Sequence, residues 1–363
     1  MILPGSIVLD IPPERNNPRN SEGAFCTTPG GSIIFAYSRF RGESGSDDAI
    51  SDIVLTESKD RGASWSAPRI VVTTEEHDAR NVMSVSFLRL RSGDLGLFYS
   101  VRKDTNDVRV HLKRSSDDGR SWGSAKRCVE SPGYHVVNND RIVRLSTGRI
   151  LIPAAFHRNG YDSGNPDGAV QFDPRGTAVF FYSDDDGETF LESKTKISSS
   201  ASRNSRTGLQ EPGVVELTTG VLWSWARTDL GRQYEMFSLD HGATWTSAEP
   251  SRFTAPDSPV SMRRDPQSGS LIAVWNPIPN YNGRDERLHG AWLGGRTPLV
   301  LAESRDDGVT FDQPRILEEE DDRGFCYTAL HFVDSDLFLA YCAGGTEDGG
   351  CLNRLRIRRI ELR

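Results

Sequence analysis

One octapeptide pattern, S-x-D-x-G-x-[ST]-[WF], recurs five times in this chain, at residues 58–65, 115–122, 183–190, 238–245 and 304–311. Self-similarity at a steady period constrains a fold more than local propensity does, because each copy must bury its apolar faces against its neighbours. The copies start 55–68 residues apart, so 363 residues hold about six units of about 61 residues each. The octapeptide itself reads as a tight hairpin. Its aspartate can accept hydrogen bonds from nearby backbone N–H groups. Its glycine allows a positive φ at little cost. The closing Trp or Phe is large enough to anchor the turn against the body of the unit.

Apolar and β-branched runs feed each turn, at 51–56, 108–112, 178–182, 234–237 and 298–302. Further strand-like runs fill the gaps at 32–37, 82–90, 95–101 and 271–275, and almost no segment sustains a 3.6-residue period. Four short strands per unit, six times over, predict an all-β chain folded as a six-bladed β-propeller with five recognisable hairpin turns. The five box aspartates then have a structural task, away from any ligand face. The alternating segment 352–362 and the strand-like segment 7–11 are expected to share one blade, because joining the chain ends removes an open sheet edge. With no linker, low-complexity tract or composition shift, residues 1–363 read as one domain.

Charge and composition narrow the function. The chain has 43 basic and 51 acidic residues, a formal charge of −8, which argues against non-specific nucleic-acid binding. The longest apolar stretches, such as 150–156, are far shorter than the roughly 18 residues of a membrane span. No charged segment followed by a long apolar run opens the chain, and the five cysteines contain no C-x-x-C pair. Free thiols in a reducing, cytoplasmic setting are therefore the expectation. Only 6 of the 43 basic residues are lysine. Codon usage produces such a skew, and so would a set of planar forks for carboxylates; composition does not separate the two.

The boxes at this spacing resemble the Asp-box repeat proteins, above all the sialidase (neuraminidase) superfamily, over nearly the whole chain. The resemblance implies a site in which three arginines hold a substrate carboxylate and a tyrosine attacks the anomeric carbon. A glutamate activates the tyrosine, and an aspartate serves as acid and then base. A phenol suits this chemistry because the anomeric carbon already carries a carboxylate, which repels an anionic nucleophile; tyrosine is the exception to the two-carboxylate rule of glycosidases.

The stretch Glu211-Pro212-Gly213, the strand-like 221–226 and Arg227 resemble the segment that carries the base and the second arginine, which implies those roles for Glu211 and Arg227. Ser261-Met262-Arg263-Arg264 resembles the segment of the third arginine. Arg264 is the choice there and Arg263 the alternate, since strand neighbours face opposite sides. Cys326-Tyr327-Thr328-Ala329-Leu330 resembles the segment around the nucleophile, Tyr327. Arg19 stands where the first arginine is expected, but Asn20 and Ser21 replace the isoleucine and proline of the family triplet, and Glu22 adds a carboxylate. The loop 41–49 offers Asp47 as the acid, with Asp48 as the alternative.

One further cluster, His135, Asn138, Asn139, Asp140 and Arg141, carries groups suited to sugar hydroxyls and does not match typical family sequences. The leading expectation is a retaining exo-glycosidase of sialidase type acting on a terminal acidic sugar, sialic acid or a relative, without metal or organic cofactor. Two others stay open. One is a uronic-acid-specific glycosidase or lyase on the same propeller, with His135 as the group to watch. The other is a non-catalytic carbohydrate-binding propeller.

Overall fold

Each octapeptide closes its hairpin with the same hydrogen bonds. In the first copy, Ser64 donates to Asp60 through its backbone N–H (2.8 Å) and its hydroxyl (2.5 Å), and the Gly62 N–H donates to Ser58 Oγ at 2.7 Å. The pattern recurs at Asp117, Asp185, Asp240 and Asp306. Two consecutive residues take positive φ in every copy, as at Arg61 (58°) and Gly62 (86°). The hydroxyl bonds from Ser64, Thr189 and Thr310 are the main cause that holds Asp60, Asp185 and Asp306 down at about 2.

The structure, a computed structural model, describes residues 5–104, 106–161, 171–199, 205–280 and 294–362. Its described regular elements are strands, apart from the single 3-10 turns Glu75–His77 and Thr346–Asp348. Three antiparallel meanders of four strands run in chain order. They are Asn20–Thr27, Ile33–Phe40, Ser51–Ser58 and Arg69–Val72; then Gln210–Glu216, Leu222–Arg227, Arg232–Ser238 and Glu249–Thr254; then Ser261–Arg264, Leu271–Trp275, Leu299–Ser304 and Arg315–Glu318. A fourth sheet takes Cys326–Val333, Asp336–Cys342 and Leu355–Glu361, and adds Ser6–Ile11 from the other end of the chain.

Residues 81–192 differ from separate four-stranded units, because their strands form one continuous sheet, apart from the separate pair Asn159–Tyr161 and Gln171–Phe172. Two meanders are joined there by a short parallel pairing of Gly133–Val136 with Asp107–Ser115. The inner strand of the second meander is broken into Gly133–Val136 and Val143–Arg144, so the first piece has a free edge to offer. The interruption, residues 137–142, contains Asn138, Asn139 and Arg141.

Apolar side chains lie between successive sheets, and most of the clusters they form draw on two of them. Ile34, Leu55, Val82 and Leu97 form one such cluster, and Trp223, Trp225, Leu271 and Val300 another. The box aromatics wedge into these seams, and Trp245 stacks on Phe180 with ring centroids 3.8 Å apart. Such a pair adds about 0.5–1.5 kcal/mol beyond the area it buries. Phe35 and Tyr37 of the first meander pack against Phe338 and Ile357 of the last sheet, so the stack of sheets closes on itself. The first strands of the sheets crowd together at the middle, and Asn20–Thr27, Asn81–Arg89, Gly133–Val136, Gln210–Glu216 and Cys326–Val333 contribute residues to one cavity.

Candidate active site

Four of these inner strands carry a register shift near their start, between Ser21 and Ala24, Met83 and Ser86, Gln210 and Gly213, and Cys326 and Ala329. Each shift contains a residue at positive φ: Glu22 (57°), Ser84 (59°), Glu211 (50°) and Tyr327 (58°). A bulge re-aims a side chain, and a non-glycine residue held in that region costs about 1–3 kcal/mol, a strain that clusters at functional sites. All four side chains line the same cavity of about 220 Å³. Gly23 and Gly213 follow two of these residues for a steric reason. A Cβ would stand 2.1 Å from the Phe35 ring at Gly23 and 2.5 Å from the Trp225 ring at Gly213.

Three of the expected residues meet in a buried triangle. Tyr327 Oη donates to Glu211 Oε1 at 2.9 Å, and Arg227 Nη1 donates to Tyr327 Oη at 3.1 Å. Arg227 also pairs with Glu211 at 3.1 Å and with Asp257 at 3.0 Å. Burial first, then the Glu211 charge, push the Tyr327 phenol well above its ordinary value. Burial works to lower Arg227, but Glu211 and Asp257 outweigh it and keep the guanidinium charged. Such a phenol needs a partner that accepts its proton before it can attack, and Glu211 is within reach.

Arg19 lies behind the cavity wall and is taken up by protein groups. Its Nη1 donates to Asp47 at 2.6 Å and its Nη2 to Glu22 at 2.7 Å. Asp47 lines the cavity. Burial raises its carboxyl, but Arg19 overrides that and the net direction is down. Glu22 goes the other way, raised by burial despite Arg19. Asp48 pairs instead with Arg102, which lines the cavity and also donates to Tyr134 Oη.

Other expected residues are elsewhere. Arg264 lies at the far end of its strand, where it donates to Asp307, inside the fifth box, and to the Glu216 carbonyl. Inner strands start at the cavity and run away from it, so the fourth residue of Ser261–Arg264 cannot reach it. The same strand-end pairing joins Arg89 to Asp118 (2.8 Å) and Arg144 to Asp186 (2.7 Å), which makes Arg264 part of the repeat's own ion-pair pattern. Arg263, the alternate, donates to Asp140 and to the Leu330 carbonyl.

Of the cluster around residue 138, Asn138 alone lines the cavity. His135 is buried between Phe156 and Phe181, and burial lowers it to about 4. Asn139 donates to the carbonyls of Gly23 and Tyr327, so it holds the backbone of the site. Arg141 donates to the Val260 carbonyl beside the Trp225 ring, and burial lowers it to about 10.

An arginine without a sequence signal lies nearest the triangle. Arg296 covers the Tyr327 ring at 5.3 Å and donates to Cys326 Sγ (3.2 Å) and the Asp257 carbonyl (3.1 Å). No strand pattern or box marks that position. Ser84, Arg102, Tyr134, His157 and Gln210 are further lining residues that the sequence reading did not single out. Ser84 and Gln210 lie on inner strands, Ser84 within a register shift and Gln210 beside Glu211; the other three carry no such mark.

The BNR repeat-like domain family matches residues 36–339, most of the chain. A sialidase from Bacteroides fragilis (strain YCH46) is 27% identical over 233 residues, which are 62% of this chain and 37% of that protein. The chain therefore matches well under half the length of this curated relative. Among solved structures, a protein of unknown function from Dyadobacter fermentans DSM 18053 has a TM-score of 0.70 at 19% identity over 99% of both chains. The Hadza microbial sialidase Hz136 has a TM-score of 0.72 at 19% identity, over 99% of this chain and 68% of that one. The two structures share its fold, and the family match spans most of its length: the chain belongs to the BNR repeat-like domain family and is similar to sialidases.

Proposed function

We propose that this chain is a retaining exo-glycosidase of sialidase type that removes a terminal acidic sugar, built as a single six-bladed propeller over residues 1–363. The observation that carries the reading is the triangle of Tyr327, Glu211 and Arg227, with Tyr327 Oη 2.9 Å from the Glu211 carboxylate. Tyr327 attacks the anomeric carbon as its proton passes to Glu211. Asp47 gives a proton to the leaving oxygen, and later takes one from the water that releases the sugar. Two displacements at one carbon retain its configuration. Arg227, on the cavity wall, meets the sugar carboxylate with charge-assisted bonds, and Arg19 and Arg296 stand behind that wall as the other two arginines of the clamp. Asn138 and the polar lining groups take the hydroxyls.

His135, the histidine singled out for a lyase, lies outside the cavity lining. The test is a panel of aryl glycosides of N-acetylneuraminic acid and of uronic acids, with product configuration followed by NMR. Release of the α-sugar first from an α-glycoside, abolished in Tyr327→Phe, is the expected result. An inverted product, an ultraviolet-absorbing unsaturated product, or full turnover by Tyr327→Phe would overturn the proposal.

A further inference from the structure

Arg19 is expected to hold a ligand carboxylate, yet it is 1% exposed and every one of its nitrogens already has a partner. Nε donates to Ser21 Oγ (2.9 Å), Nη1 to the Gly45 carbonyl (3.1 Å) and to Asp47 Oδ1 (2.6 Å), and Nη2 to Glu22 (2.7 Å). The Phe40 ring covers the guanidinium face at 4.4 Å. Two of these partners, Asp47 and Glu22, line the cavity. They differ in freedom. Glu22 has 6% of its side chain exposed and is also held by Ser84, whereas Asp47 has 59% exposed, on the glycine-containing loop 41–49.

We infer that Asp47 is an internal stand-in for the ligand's carboxylate on Arg19, so that an acidic sugar must displace Asp47 and in doing so sets it free to work as the acid. The inference rests on the proposed function and adds a specificity rule to it. Exchanging one carboxylate for another leaves the charge around Arg19 unchanged, which keeps the exchange inexpensive. Released from the guanidinium, Asp47 takes a proton from solvent and passes it to the leaving oxygen. The other charges that face Asp47 are Glu22, Arg102 and Arg227, and Arg102 is engaged by Asp48. A neutral sugar brings no replacement anion. It leaves Asp47 ionised on Arg19, and a bound neutral glycoside is not turned over.

The test is calorimetric binding of free N-acetylneuraminic acid to wild type and to Asp47→Asn, with turnover of its aryl glycoside measured in parallel. Where a site is open only a fraction of the time, apparent affinity falls by that fraction. If Arg19 is open about a tenth of the time, Asp47→Asn binds about tenfold more tightly while its turnover collapses. Removing the exposed loop charge in Glu43→Gln should change binding less than twofold, and in an Arg19→Lys background the gain from Asp47→Asn should largely vanish. Should Arg19→Lys fail to fold, the comparison of Asp47→Asn with Glu43→Gln decides alone. Unchanged or weaker binding by Asp47→Asn, an equal gain from Glu43→Gln, or a gain that survives Arg19→Lys would overturn the inference and leave the glycosidase reading standing. No binding and no turnover of any acidic sugar by wild type would remove both.

Discussion

Glu211→Gln separates the proposed proton acceptor from the architecture that holds it. The amide oxygen can accept the Tyr327 hydrogen bond that Glu211 Oε1 accepts at 2.9 Å. Arg227 loses its 3.1 Å partner but keeps Asp257 at 3.0 Å. Removing one member of a buried ion pair costs about 3–5 kcal/mol where the other charge is stranded. Arg227 is not stranded here, so a cost of about 1–2 kcal/mol is expected, the scale of one hydrogen bond to a charged group. Turnover should suffer more. A glutamine cannot take the phenolic proton, and general-base catalysis contributes about 10²–10⁴-fold, or about 3–5 kcal/mol at 1.36 kcal/mol per decade. The loss should lie toward the upper end, because burial keeps the Tyr327 phenol well above its ordinary pKa and it does not ionise unaided. Pre-steady-state rates with a good leaving group isolate the glycosylation step, and a thermal melt checks the fold. A rate within threefold of wild type, with an unchanged melt, would refute the assignment of Glu211 as base.

Arg264→Ala tests the revised reading of the third arginine. Its guanidinium is committed to Asp307, so KM and kcat on an acidic aryl glycoside should stay within about twofold of wild type while the melting temperature drops slightly; a large rise in KM would return it to the clamp. Three box aspartates, Asp60, Asp185 and Asp306, predict the acid limb of stability. Their folded pKa values of about 2 lie below the unfolded value near 3.9, so their stabilising contribution is present above about pH 4 and is lost as pH falls toward 2. Asp185→Asn should flatten that limb in melts between pH 5 and 2, and an unaltered slope would contradict the hydrogen-bond account.

The repeat was legible because each octapeptide is self-sufficient. The aspartate, the glycine and the Ser or Thr make their turn from contacts within eight residues, and the spacing of the copies sets the size of the unit. Tyr327, Glu211 and Arg227 were also legible, by likeness to family segments. Their meeting depends on strands that lie 100 or more residues apart in the chain. Where the likeness was weak, local reading could not say which groups a side chain would meet, for a physical reason. The two arginines Arg263 and Arg264 look alike in sequence, but the direction of the strand relative to the cavity decides which groups they meet, and it gives them to Asp140 and Asp307. His135 and Asn138 stand three residues apart, yet a break in the strand leaves one in the core and the other on the cavity wall. Arg296 has no local signature, because what makes it notable is the Tyr327 ring beneath it. The sequence by itself determined the octapeptide turn, its five copies and their spacing, because the turn is made by residues close together in the chain. Only the tertiary structure decided which charges face one another, because a long side chain pairs with whatever the closing of the sheets brings near it.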